Sequence, residues 1–212
     1  MSNPKLTIVA VTYNHPRPIL ERFITSLESQ TAPKEEWECN IYHDGECSTS
    51  YWPRRNHGYQ TTDDVLGYRQ QWDNFSFIET QKRLGNYGHP NRLRGLNECN
   101  TEYIHFTNAD NIYNPIFVED SLSYLDKHPE CDVLLMNIIH SYGRGRRYCL
   151  FQPAPVLDNV DFMSFIIRTD LMKKIGFKRI DFTGQDGIIL EEAALKGANI
   201  QWLGDTVIGT HC

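Results

Sequence analysis

The sequence has no C-x-x-C pair. Its six cysteines, Cys39, Cys47, Cys99, Cys131, Cys149 and Cys212, are scattered along the chain. Common structural zinc motifs are thereby excluded and no disulfide framework is outlined. Reduced thiols follow, with Cys99 and Cys131 facing a core. Also missing are a basic, apolar leader and any run near the roughly 18 apolar residues that cross a bilayer. The chain therefore reads as cytoplasmic and without a transmembrane segment. Positive charge is scarce: 21 Lys and Arg against 27 Asp and Glu leave a net charge of −6, too acidic for the field that holds a nucleic-acid duplex. The glycine-rich phosphate loops are absent as well. With neither G-x-G-x-x-G nor G-x-x-x-x-G-K-[ST], cradling of a pyrophosphate by backbone amides is unsupported.

What is present begins with ordinary globular composition, 40% hydrophobic over 212 residues, enough for one domain with a substantial core. No segment is low in complexity, and no repeat appears at a period of 20 to 50 residues. "KLTIVAVTYN" is a β-branched apolar run, and in "HPRPILERFITSLESQT" Ile19, Phe23, Ile24 and Leu27 recur at helical spacing. "WECNIYHDGECS" supplies a second strand. Residues 48–74 read as an inserted polar and aromatic loop. "FSFIET" and "TEYIHFT" are two further strands, with Pro90 near the first turn of the helix between them. After Pro115 come an amphipathic helix and "CDVLLMNIIHS", an apolar strand of the kind buried on both faces. Strand and helix thus alternate as in a mostly parallel α/β sheet flanked by helices. Beyond it, "YGRGRRYCLFQPAPV" suggests a hairpin or extended loop, and "DFMSFIIRTDLMKKIGF" a strand running into a helix. "GQDGIILEEAALKG" is a helix with Asp186 at its start, and "NIQWLGDTVIG" is closing strand material.

Ligands of open α/β sheets bind beyond the carboxyl ends of the strands. Three such ends are polar here: Thr12–Tyr13–Asn14, His43–Asp44–Gly45 and Asn108–Ala109–Asp110. For the last, "IHFTNADNIYNP" admits a turn reading, since Asn and Asp bond their own backbone, and a site reading, in which Asp110 and an arginine neutralise a phosphate through a divalent cation. Basic clusters at Arg54–Arg55, Lys82–Arg83, Arg92/Arg94 and Arg144–Arg146–Arg147 suit a small anion or a solvated surface.

Several motifs, in this order, resemble the family-2 glycosyltransferases of the GT-A fold: "TIVAVTYNHP", "HDGECS" in place of D-D-G-S, "NYGHPNRLRGLN", "FTNADNIYNP" in place of L-D-x-D-D…P, and "GQDGIILEEAALKG" at the E-D segment. The resemblance covers nearly the whole chain. It implies a single GT-A domain over 1–212, with a nucleotide-binding half at 1–111 and an acceptor-binding half at 112–212. The implied partners are a nucleotide-sugar donor, a UDP-sugar first, and a hydroxyl-bearing acceptor.

By the same resemblance Thr12, Tyr13 and Asn14 line the nucleotide pocket, Asp44 accepts from a base N–H, and Arg92 faces the diphosphate. Asn108 and Asp110 become the outer positions of a D-x-D motif around Ala109, reaching ribose and metal. Asp186 becomes the general base of an inverting transfer, although it also suits a helix start. His211 completes the shell of Mn2+ or Mg2+ with Asp110. Asn108 and Gln185 stand where the family has acids. Trp52, Tyr59, Tyr68 and Trp72 are loop anchors or an acceptor platform. Two other readings stay open, a sugar-phosphate nucleotidyltransferase and a non-catalytic nucleotide-sugar binder.

Overall fold

The computed structural model describes residues 3–13, 15, 17–45, 74–142 and 147–211. Asn14, the aromatic residues Trp52, Tyr59, Tyr68 and Trp72, and the arginines 54, 55, 144 and 146 lie outside the described residues.

Strand β1 (Leu6–Thr12) is buried along its full length, as its unbroken apolar run requires. Helix α1 (Arg17–Glu28) follows and buries Leu20, Phe23, Ile24 and Leu27 as one face. Strand β2 (Trp37–His43) runs parallel to β1, and β3 (Phe75–Glu79) runs parallel to β2. A 3-10 turn (Asn86–Gly88) leads directly into α2 (His89–Glu98), which has Pro at its first turn. Then come β4 (Tyr103–Asn108), parallel to β1, the two-residue β5 (Ile112–Tyr113) and α3 (Phe117–Lys127).

The remainder holds β6 (Val133–Tyr142), β7 (Arg147–Phe151), β8 (Phe165–Arg168), α4 (Thr169–Ile175), α5 (Gln185–Leu195) and β9 (Ile200–His211). These strands form one sheet in the order β3-β2-β1-β4-β8-β6-β9-β5, with β7 paired to β6. The first four are parallel. Past β4 the sheet is mixed, because β8 enters between β4 and β6 antiparallel to both, while β9 runs parallel to β6. The expected hairpin is present as β6–β7.

Side chains alternate across a strand, and the two faces of the sheet hold separate cores. Ile8, Phe23, Trp37, Phe117 and Met136 pack on one face. Val9, Phe106, Phe165 and Leu190 pack on the other. Burying a side chain of this size contributes about 1.5–3 kcal/mol, so the layered core fixes where each strand ends. Cys99 and Cys131 are buried, as expected, and Cys39, Cys99, Cys131 and Cys149 are free thiols. Among the described residues no helix is long and apolar enough to cross a membrane.

Candidate active site

The register of the parallel strands brings the polar ends together. Thr12 stands beside His43 and Val11 beside Asn108. Just past the strands, the Asp44 amide donates to the Thr12 carbonyl and the Ala109 amide to the Val11 carbonyl, both at 2.9 Å. Two groups of side chains grow from this edge.

The first surrounds Asp44. Its buried carboxylate accepts from the Leu84 amide at 2.7 Å and the Gly85 amide at 2.9 Å. It thereby holds an unusual turn, in which Gly85, Asn86, Tyr87 and Gly88 all have positive φ (67°, 50°, 56° and 78°). Such conformations cost about 1–3 kcal/mol for each non-glycine residue and persist only when the surroundings hold them. At Gly88 a Cβ would also lie 2.9 Å from Val11 Cγ2. The turn walls a cavity of about 420 Å³ lined by Tyr13, Asp44, Arg83, Tyr87 and Asp181 among others. The Arg83 guanidinium sits 3.8 Å from the centre of the Tyr13 ring, so an aromatic face and a positive charge border the same space.

The second group surrounds Arg92, which is buried. Its Nη2 donates to Asn108 Oδ1 at 2.5 Å and its Nη1 to the Tyr87 carbonyl at 2.7 Å. The guanidinium also lies 4.5 Å from the Phe162 ring centre. Burial pulls its pKa down to about 10, against the attraction of Asp161, Asp186 and Asp110, and it stays cationic at neutral pH. His89 supports it. Because His89 Nε2 faces the Phe182 carbonyl at 3.0 Å, that nitrogen carries the proton and Nδ1 can accept from Arg92 Nη1 at 3.3 Å. Burial and the Arg92 charge press the His89 pKa down to about 4, which keeps the ring neutral.

Asp186 begins α5 beside the buried Gln185. Its Oδ1 accepts from the Gly187 amide at 2.9 Å. Burial and then the charge of Asp161 raise its carboxyl to about 7, opposed by the Gly187 amide and Arg92. A carboxylate held there can take a proton near neutral pH. Gln185 Oε1 accepts from the Arg179 amide at 2.7 Å, while its Nε2 is buried without a partner.

Asp110 extends toward His15, Oδ2 to Nε2 at 3.6 Å, and its Oδ1 is buried without a hydrogen bond. His15 Nδ1 lies 3.0 Å from Thr12 Oγ1, so the ring links the end of β1 to Asp110. His211 ends β9 opposite His140 of β6. The two rings stack with centroids 4.3 Å apart, and His211 Nε2 lies 3.5 Å from Asp161 Oδ2. Among the described residues, the group of donor atoms close enough to share an ion is His140, Asp161 and His211, all within 4.8 Å of one another. Asp110 is outside that group. The metal pair expected from the sequence is therefore not the set that the fold gathers most tightly.

Asp161 and His140 escaped the sequence reading. Asp161 caps the turn Phe162–Ser164, its Oδ1 accepting from the Met163 amide at 2.8 Å while Ser164 Oγ bonds back to the Asp161 amide at 3.1 Å. The D-x-x-S pattern of that cap was the available signal. For His140 no local signal exists, because its partner is 71 positions away and is set by strand pairing.

An α/β sheet with polar residues gathered at the ends of its parallel strands, and a buried arginine among carboxylates, is an arrangement of the GT-A type. Residues 7–194 match the family described as Glycosyl transferase family 2, and the chain belongs to that family. No curated protein sequence matches. Among solved structures, S. aureus TarS 1-349 in complex with UDP aligns with a TM-score of 0.74 and 24% identity, covering 98% of this chain and 60% of that one. The same TarS piece in complex with UDP-GlcNAc aligns with a TM-score of 0.73 and 24% identity, over 98% and 58%. The mannosyltransferase PcManGT from Pyrobaculum calidifontis, in complex with GDP-Man and Mn2+, aligns at 0.68 and 14%, over 99% and 57%. The chain thus spans about three fifths of the length of these chains.

Proposed function

We propose that the protein transfers a sugar from a nucleoside diphosphate sugar, a UDP-sugar first, to a hydroxyl acceptor with inversion at the anomeric carbon. The observation that carries this reading is Asp186, a partly buried carboxyl at the start of α5 that its surroundings and Asp161 push up to about 7, within the field of the Arg92 cation. TarS, a relative in fold, was solved with UDP and with UDP-GlcNAc.

In this reading Thr12, Tyr13 and Asn14 line the nucleotide pocket and Asp44 receives the base. Asn108 and Ala109 border the ribose. Arg92 adds positive charge toward the diphosphate from behind Asn108. A divalent cation, Mn2+ or Mg2+, held by Asp110 and His211, supplies further charge neutralisation for the leaving diphosphate. The unpartnered Asp110 Oδ1 and His211 Nδ1 fit that duty. Asp186 removes the acceptor hydroxyl proton as that oxygen bonds to the anomeric carbon. The bond from that carbon to the diphosphate oxygen breaks on the opposite side, and the nucleoside diphosphate leaves with the electron pair. Residues 1–111 serve the nucleotide and 112–212 the acceptor within one domain, and the reaction takes place in the cytosol.

A second reading, a nucleotide-sugar binder without turnover, is favoured by one contact: Asn108 replaces an acid and gives its Oδ1 to Arg92. Calorimetric titration with UDP, with and without Mn2+, tests the first. Binding that depends on the metal and disappears in Asp110→Ala is expected. Failure of both UDP and GDP to bind would refute it. Binding of UDP with no transfer from any UDP-sugar would select the second.

A further inference from the structure

One side chain touches both the buried cation and the segment that leads into Asp186. His89 opens α2 and is 1% exposed. Arg92 lies three residues on, so the two side chains are neighbours on the helix. Rings of Tyr87, Phe162 and Phe177 surround the imidazole, with centroids 6.1, 5.8 and 5.9 Å away. An imidazole buried among aromatic rings loses its water and has to be satisfied by protein at both nitrogens. His89 meets this in two directions, with Nε2 donating to the Phe182 carbonyl at 3.0 Å and Nδ1 accepting from Arg92 Nη1 at 3.3 Å. Phe182 belongs to residues 176–184, which connect α4 to α5. The same connection is tied to the start of α5 where the Arg179 amide donates to Gln185 Oε1. It also places Asp181 in the wall of the cavity beside Tyr13 and Arg83.

We infer that His89 is a positioning residue that uses its two ring nitrogens to set Arg92 for the diphosphate and the approach to Asp186 for the acceptor. Those two duties rest on the glycosyltransferase reading; the two-sided bridge itself does not. The sides differ in strength. Arg92 keeps its bonds to Asn108 and to the Tyr87 carbonyl when His89 is lost, so its placement changes little. The Phe182 carbonyl holds the shorter of the two bonds to the ring, and a small displacement of the base that follows it is costly, because transfer depends steeply on the alignment of reacting groups.

The test compares three variants by UDP calorimetry and by single-turnover transfer from a UDP-sugar. His89→Leu keeps an apolar filling and removes both bonds. UDP affinity is expected to fall about threefold to tenfold and transfer about 10- to 100-fold. Asn offers an amide oxygen near the position of Nδ1, and Gln an amide nitrogen near that of Nε2. His89→Asn should therefore restore UDP affinity but not transfer, and His89→Gln should restore transfer better than affinity. Because a variant can fail to fold, nitrogen NMR of the unaltered protein gives a second measurement: at neutral pH His89 should be the uncharged tautomer with its proton on Nε2. A proton on Nδ1, His89→Leu with unaltered affinity and transfer, or equal losses in His89→Asn and His89→Gln would overturn the assignment. If UDP binds without transfer, restoration of affinity by His89→Asn alone decides it. The expected tautomer, together with no binding of UDP or GDP by the unaltered protein, would uphold the bridge and remove the glycosyltransferase reading instead.

Discussion

The two ends of the crevice are built by opposite means. Around Asp44, shape comes from the backbone: one carboxylate grips two amides, and four successive residues are held in a conformation that chains rarely adopt. Around Arg92, shape comes from charge, with one buried cation set among Asp110, Asp161 and Asp186. Several polar atoms there, Arg92 Nε, Asp110 Oδ1, Gln185 Nε2 and His211 Nδ1, have no hydrogen-bond partner. The contrast separates two physical states of a site. In the first, the carboxylate is already engaged by backbone amides, so its geometry is set before any ligand arrives. The second carries donors and acceptors whose desolvation is uncompensated, and it gains most from an ion or an anion that completes it.

The sharpest way to separate the ends is Asp186→Asn. Transfer should slow by about 10²–10⁴-fold in single-turnover assays, while UDP affinity measured by calorimetry stays within about twofold. Equal loss of both would erase the division. With its carboxyl raised to about 7, transfer by the unaltered protein should climb with pH through neutrality, and a cation nearby should move that rise to lower pH. The stability effect has a definite sign. The folded pKa exceeds the unfolded value of 3.8, so the folded state binds the extra proton and stability falls as pH rises from about 4 through about 7. Asp186→Asn should therefore be the more stable protein at pH 8, by on the order of 2 kcal/mol, with the advantage vanishing near pH 4 in urea melts.

Gly209→Ala strikes the charged end through packing. Its Cβ would fall 2.2 Å from the Ile112 carbonyl oxygen and 2.5 Å from Met163 Cε, so β5 and β9 must part. A loss of about 1–3 kcal/mol is expected, read in the same melts. A neutral result would mean that the strand pair yields freely. Asp44→Ala attacks the other end: two amides lose their acceptor at about 1–3 kcal/mol in total. UDP binding should weaken about tenfold with its metal requirement unaltered, and an unchanged affinity would remove Asp44 from the pocket. The smallest effect is Asn86→Gly, which should stabilise by up to about 1 kcal/mol by relieving a left-handed backbone. Destabilisation instead would show that the Asn86 side chain, rather than the turn, holds the loop.

The end around Asp44 was the more legible in sequence. The apolar runs of β1, β2 and β4 stop at Thr12, His43 and Asn108, where the strands end, and parallel pairing then aligns those ends without further information. Asp186 was legible as a helix start, but its raised pKa was not, since that depends on burial and on Asp161. His140 takes its meaning from His211 across the sheet, His15 from Asp110, and Asp161 from His211 beyond its local cap. The mixed half was harder for the same reason. β8 is four residues long and β5 two, too short for a period to declare itself, and each is defined by the strand it joins. Arg92 was singled out in the sequence, but its bond to Asn108 was not legible there, because that contact spans a helix and a strand end.

Tyr87 belongs to both ends. Its backbone lies in the left-handed turn that Asp44 holds, and its carbonyl accepts from the arginine that braces Asn108. A peptide rotation that relaxed the turn would turn that carbonyl away and loosen Arg92. Whatever steadies the loop from the Asp44 side thus also steadies the cationic side, and thermodynamic reciprocity requires the converse. Through one carbonyl, the two ends share a coupling free energy, and occupancy of either should be felt as affinity at the other.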